Sequence, residues 1–213
     1  MQDSSPREKI LKKIRKGLIH QTLNPFPEID LERSVYKIAK EPLLEFVQEF
    51  RSVGGQFVFC ESELDFVENV VLLAQQKKWN NVFCWDDHLQ QILKDCDFPF
   101  SGTDQNFKDC VVGITSCEAL IARTGSILVS SRQKSGRRLF IFPPVHIVLA
   151  YSSQLVTDTK DGLLLLKAKY SERLPSLITS ITGPSKTNDI DNTVVTGVHG
   201  PAEIYLFLID DID

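Results

Sequence analysis

From Pro42 onward the apolar and polar positions alternate between two rhythms. "PLLEFVQEFRSV" spaces its apolar residues three and four apart and stops at Gly54-Gly55, which predicts a helix ending on residues that accept a left-handed cap. "QFVFCE" then reads as a strand, "SELDFVENVVLLAQQKK" as a helix, "NVFCW" as a strand and "DHLQQILKDC" as a helix. Short apolar runs alternating with helices of these lengths predict βαβ units and a parallel sheet covered on both faces. After "CVVGIT" the rhythm tightens. "SILVSS", "RRLFIF" and "HIVLAY" read as closely spaced strands, "KDGLLLLKAKY" as a helix and "EIYLFLID" as a strongly buried strand. The expectation is a single α/β domain over residues 36–213, a mainly parallel sheet flanked by helices, with no internal repeat.

The first 35 residues follow a different pattern. Ser5-Pro6-Arg7-Glu8 has the form of a capping box, with Pro6 at the first helical position. Ile10, Leu11, Ile14 and Leu18 then share one helical face, with Lys and Arg opposite. "HQTLNPFPEID" breaks this amphipathic helix with two prolines and reads as a linker. The helix either packs on its own domain or serves as an arm that docks on a partner, and the pattern leaves both open. Lysines interrupt the apolar positions, so the segment is not expected to act as a secretory signal.

Charge and cysteine content narrow the function classes. A formal net charge of −4 leaves no electrostatic footprint for nucleic acid. The apolar runs are too short to span a bilayer, so a cytoplasmic protein is expected. The five cysteines (Cys60, Cys84, Cys96, Cys110, Cys117) form no CxxC pair, and the four histidines show no zinc-ligand spacing. Cys60, Cys84 and Cys110 lie in or beside apolar runs and read as small buried hydrophobes. Scattered thiols cannot hold an all-cysteine iron–sulfur cluster, so no cofactor or metal is expected on this chain.

Candidate chemistry gathers late in the sequence. "TGPSKTNDID" (182–191) and "GVHGP" (197–201) put two Gly-Pro pairs around Ser185, Lys186, Thr187, Asp189, His199 and Gly200. "GPSKT" is not a P-loop, because Pro184 and Ser185 separate Gly183 from Lys186. It nevertheless offers two hydroxyls, one cation and backbone N–H groups, and it is expected to open a short turn of helix toward Asp189, whose N-terminus would favour an anion. The alternative is that Ser185 and Thr187 are plain helix caps and Asp189 balances the helix dipole. "GITSCEALIARTGSILVSS" is a second cluster: a strand ends at Thr115, Glu118 is expected to begin a short helix, and Thr124-Gly125-Ser126 turns back into a strand. Glu118 is then either a carboxylate facing a crevice or a first-turn helix acid. His146 follows Pro143-Pro144 at the start of a strand, where a loop can present it to a cleft. No Ser–His–Asp order, GxSxG elbow or GxGxxG fingerprint occurs.

Taken in order, "GITSCEALIARTGSILV", "PPVHIVL", "GPSKTNDID" and "GVHGPAEIYLFLI" resemble the lactate-utilization domain family, in its protein C branch. The resemblance runs from Gly113 to the C-terminus, with a looser fit before it. It implies a ribose-phosphate isomerase/CoA-transferase-like α/β fold, and participation in L-lactate oxidation to pyruvate as an accessory subunit. Iron–sulfur clusters are then expected on cysteine-rich and iron–sulfur partner subunits, and a small carboxylate or phosphate is expected as ligand, with a homo-oligomer as a further option. A stand-alone enzyme acting on a small phosphorylated or carboxylated metabolite, or a ligand sensor, is the competing reading. One position departs from the family pattern. Where the family has "ETGT", this chain carries Arg123 and Ser126, which keeps a hydroxyl and reverses a charge.

Overall fold

The computed structural model describes residues 5–19, 40–190 and 193–212, without the side chains of 188–193. The chain forms two compact units, residues 1–37 and 38–213. In the first, helix α1 (Pro6–Ile19) begins with the expected capping box: the Ser5 amide donates to the Glu8 carboxylate at 2.9 Å, and the Glu8 amide donates to Ser5 Oγ at 3.3 Å. Its apolar stripe of Ile10, Leu11, Ile14 and Leu18 is exposed.

The second unit is layered around a five-stranded parallel sheet. Its strands are β1 (Gln56–Cys60), β2 (Val82–Cys84), β3 (Val112–Thr115), β6 (Val145–Tyr151) and β11 (Glu203–Ile209), in the order β1-β11-β6-β3-β2. Alternate residues of β11 face opposite cores. Tyr205, Phe207 and Ile209 pack with Phe66, Val70, Leu89 and Leu93 of helices α3 (Glu63–Lys77) and α4 (Asp87–Asp95). Ile204, Leu206 and Leu208 pack with Phe46 and Phe50 of helix α2 (Pro42–Ser52). Burial on both faces explains why these strands read as continuous apolar runs. Ser62 caps α3 by accepting from the Asp65 amide, and Asp86 caps α4 by accepting from the His88 and Leu89 amides.

A second, four-stranded sheet covers the α2 side, in the order β7-β4-β5-β8. It comprises β4 (Ala119–Ile121), β5 (Ser126–Ser130), β7 (Leu155–Val156) and β8 (Ile178–Ile181). Helix α5 (Thr159–Lys169) buries Leu166 against its outer face with Ala119, Ile121 and Leu128. The fold class is therefore α/β, a mainly parallel central sheet with flanking helices, as the apolar rhythm predicts.

Three local expectations are corrected. Arg137–Phe142 is not a strand but a run of turns, in which the Ile141 and Phe142 amides donate back to the Arg138 carbonyl. Leu139 is drawn into a small core with Phe83 and Phe107, and Phe140 into the α2 core, so the apolar run serves two cores instead of one sheet. This segment crosses β3 at Gly113, where an added Cβ would lie 2.5 Å from the Leu139 carbonyl oxygen. Glu118 does not begin a helix. Its amide donates to the Leu128 carbonyl and it leads directly into β4. Lys186–Ile190 is strand β9, paired antiparallel with β10 (Thr193–Thr196), so no helix N-terminus follows Gly183.

Candidate functional site

The two Gly-Pro motifs meet at the amino edge of the parallel sheet, beside the carboxyl end of α2. The Ser185 amide donates to the Pro201 carbonyl, and the Gly197 amide donates to the Ser185 carbonyl, both at 2.9 Å. Gly200 lies against Ser185: a Cβ there would be 3.2 Å from Ser185 Cβ. Gly183 (φ +79°) packs so tightly on Val53 that an added Cβ would come 2.7 Å from the Val53 carbonyl oxygen. The same carbonyl accepts from Lys186 Nζ at 3.1 Å. An ammonium carries three donors, so this bond leaves two for a ligand while the charge offsets the negative end of α2.

The Thr124–Ser126 turn joins this assembly through hydroxyls. Thr124 Oγ1 and Ser126 Oγ lie 2.7 Å apart, and Ser126 Oγ lies 2.7 Å from Thr182 Oγ1, one residue before Gly183. Sequence elements some sixty residues apart are thereby stitched together. His199 is exposed, Thr187 is half-buried on β9, and the Asp189 side chain lies outside the described residues. These residues line the amino edge of the sheet, not the carboxyl ends where a ligand crevice is expected in open α/β sheets. Arg123, the family departure, has a local partner: it forms a 2.8 Å ion pair with Asp158, the N-cap of α5.

Glu118 and His146 lie elsewhere. The Glu118 side chain is fully buried. Its Oε1 accepts from Ser130 and from Tyr170 at 2.8 Å, and its Oε2 from Lys169 Nζ at 2.8 Å. His146 is not presented to a cleft. It is wholly buried on β6, with Nε2 2.9 Å from Thr115 Oγ1 and with Nδ1 unpartnered among the described residues. Burial pushes its pKa down to about 3, so the imidazole is neutral. Burial likewise pushes the thiols of Cys60, Cys84 and Cys110 up to about 12, which leaves them unreactive hydrophobes at neutral pH.

The carboxyl edge of the sheet carries polar groups that the motif reading missed. Tyr151, at the end of β6, donates to Glu63 Oε1 at 2.8 Å, and His88 Nε2 lies 3.2 Å from both groups. Nearby in the chain order of strand ends, Ser116 donates to Asp86 at 2.8 Å, and Ser152 and Ser153 donate to Asp210 and Asp211. The Ser153 hydroxyl and amide hold the Asp211 carboxyl below its ordinary value. The signal available in sequence was position alone: each residue follows a strand of the parallel sheet. A cavity of about 780 Å³ lies apart from all of these, lined by Val71, Ala74, Trp79, Cys96, Phe98 and Pro99.

Residues 97–209, just over half of the chain, match the LUD domain, and they contain β3 to β11 and both Gly-Pro loops. The chain belongs to the LUD-domain family. Its relatives include the lactate utilization protein C of Halalkalibacterium halodurans, 35% identical over 102 residues (47% of this chain, 44% of that protein). The proteins of that name from Deinococcus radiodurans and Bacillus subtilis are 32% identical over 119 residues (55% and 54%) and 31% over 102 residues (47% and 42%). This LUD-family chain thus spans about half the length of the curated relatives it matches. The crystal structure of a DUF162 family protein from Deinococcus radiodurans shares its fold, with a TM-score of 0.57 at 17% identity over 79% of this chain and 96% of that one. Among the described residues no helix is long and apolar enough to cross a membrane, and no three His, Cys, Asp or Glu side chains gather to hold a metal ion.

Proposed function

We propose that this LUD-family chain is an accessory component of L-lactate oxidation, with the iron–sulfur centres on cysteine-rich partner subunits, and that its paired Gly-Pro loops bind a small carboxylate or phosphate. The observation that carries the reading is the family match over the loop-bearing residues, taken with relatives named for lactate utilization. Ser185, Lys186 and Thr187 supply hydroxyls and a cation, and the adjoining glycines let the two loops and α2 pack closely enough to hold them at one edge. Deleting the gene should impair growth on L-lactate, while the purified chain neither oxidises lactate nor carries iron. Lactate oxidation by the isolated, iron-free chain would overturn the accessory role.

The reading as an enzyme in its own right draws on the His88–Tyr151–Glu63 cluster at the carboxyl edge, where a general acid or base is suitably placed. Turnover of a small phosphorylated or carboxylated metabolite by the purified chain, lost in His88→Ala, would favour that reading.

Lys186→Ala tests the loop itself. A charged hydrogen bond is worth about 1.5–3 kcal/mol, so anion binding should weaken about tenfold or more. The lost bond to the Val53 carbonyl is exposed and should lower the melting temperature by no more than about 3 °C. Unfolding of the variant, with no thermal protection of the wild type by phosphate, lactate or pyruvate, would instead make the loop a structural clamp on α2.

A further inference from the structure

We propose that the polar pocket at the carboxyl end of α5 is a second binding site, for a small oxyanion, built from Arg132, Lys169, Tyr170 and Arg173. It goes beyond the loop reading, because none of these residues belongs to the Gly-Pro assembly. The pocket has a volume of about 240 Å³, and Ser171 and Glu172 complete its lining. That size suits a compact ligand, and the lining is almost wholly polar or charged.

The charges favour an anion. Three cations line the space, and two carboxylates lie at the same place, Glu118 behind it and Glu172 on its wall. Glu118 is already satisfied. Both its oxygens are taken by Ser130, Tyr170 and Lys169, so it neutralises Lys169 and no more. Neither Arg132 nor Arg173 forms an ion pair among the described residues. Two guanidinium groups are therefore left facing one small pocket against the single carboxylate of Glu172, so the lining keeps a net positive charge, and guanidinium is the side chain best matched to carboxylate and phosphate oxygens.

The same contacts hold the donors in place. Ser130 Oγ, which donates to Glu118, accepts from the Arg132 amide at 3.1 Å. Arg132 Nη2 donates to the Arg173 carbonyl at 3.1 Å, which ties the two arginine segments together. The Tyr170 ring, fixed by its hydroxyl on Glu118, has the Arg132 guanidinium 5.9 Å from its centroid and Lys169 Nζ at 5.4 Å. Glu118 thus acts as a buried anchor that orients the pocket wall, so less ordering remains when a ligand arrives. This gives Glu118 a positioning role that neither sequence alternative contained.

Isothermal titration calorimetry on the full chain tests the site, with inorganic phosphate, L-lactate and pyruvate as separate probes and sodium chloride at matched ionic strength as the control. Arg132→Met and Arg173→Met keep the apolar stem, and both side chains are exposed, so folding should survive. In the Lys186→Ala background, which removes the loop site, at least one probe should still bind saturably, and adding Arg132→Met or Arg173→Met should raise its Kd about tenfold. The arm that binds tightest separates a carboxylate from a phosphate ligand. No saturable binding of any probe, or the same Kd in both methionine variants, would overturn the pocket. Binding by the wild type with none left in the Lys186→Ala background would place the anion on the Gly-Pro loops, which sinks this site and sustains the other.

Discussion

Replacing Gly125 by alanine should cost about 3–5 kcal/mol, a large fraction of a domain's stability. Gly125 has φ +56°, and a Cβ added there would lie 2.2 Å from the Phe50 backbone nitrogen and 2.5 Å from the Glu49 carbonyl carbon. Those are backbone atoms of α2, which cannot swing aside as a side chain would. The turn would have to lift off the helix, exposing Phe46 and Phe50 and breaking the hydroxyl chain from Thr124 through Ser126 to Thr182. Gly136 provides the control. It has φ +62° with nothing within 4 Å, so Gly136→Ala incurs only the left-handed strain, about 1 kcal/mol. Urea denaturation of both variants separates the two costs. Equal midpoints for Gly125→Ala and Gly136→Ala would show that the turn and α2 do not pack as described.

This result bears on how the site is read. In sequence, Thr124-Gly125-Ser126 beside two Gly-Pro motifs suggests glycines chosen for close approach to a ligand. At Gly125 and Gly183 the close approach is to α2 itself. The Gly-Pro loops are shaped by the helix they pack on, and the ligand binding proposed above rests on Lys186 and the hydroxyls at their edge.

The central sheet was legible because its inner strands β6 and β11 are buried on both faces, which forces continuous apolar runs such as "EIYLFLID" and "HIVLAY". Helix caps were legible because Ser5 and Glu8, or Gly54, act over a few residues of chain. The second sheet was legible only at β5, in "SILVSS", because its other strands are short and β8 is half-buried. In the separate β9–β10 pair, β9 holds "KTNDI", whose polar composition gives no strand signal. Arg137–Phe142 misled for the opposite reason, since its apolar run matches a strand although Leu139 and Phe140 enter different cores and Ile141 and Phe142 are exposed. The sites were the least legible part. Glu118 meets Lys169 across 51 residues, and Tyr151 meets Glu63 across 88, so neither pairing leaves a local spacing to detect.

His146 gives the fold a defined acid sensitivity. Its native pKa of about 3 lies below the ordinary 6.5 because burial disfavours the imidazolium. The unfolded chain therefore binds a proton near pH 6.5 that the native chain refuses, and stability falls as pH drops from there toward 3. The slope is about 1.4 kcal/mol per pH unit from this residue alone. Between pH 6.5 and 5.0 the loss should reach roughly 2 kcal/mol, while carboxylates held low by their partners, such as Asp211 and Glu203, remain ionised in the native state. His146→Gln removes the titrating group and keeps an amide that can bond Thr115 Oγ1. Its absolute stability will differ, so the informative quantity is the slope of unfolding free energy against pH, from urea titrations at several pH values. The variant should be flatter than the wild type by about one proton's worth over this window, with His88, His199 and every other group common to both. Parallel slopes would mean that His146 takes up its proton in the native state, and a histidine able to do that is one the core does not fully enclose.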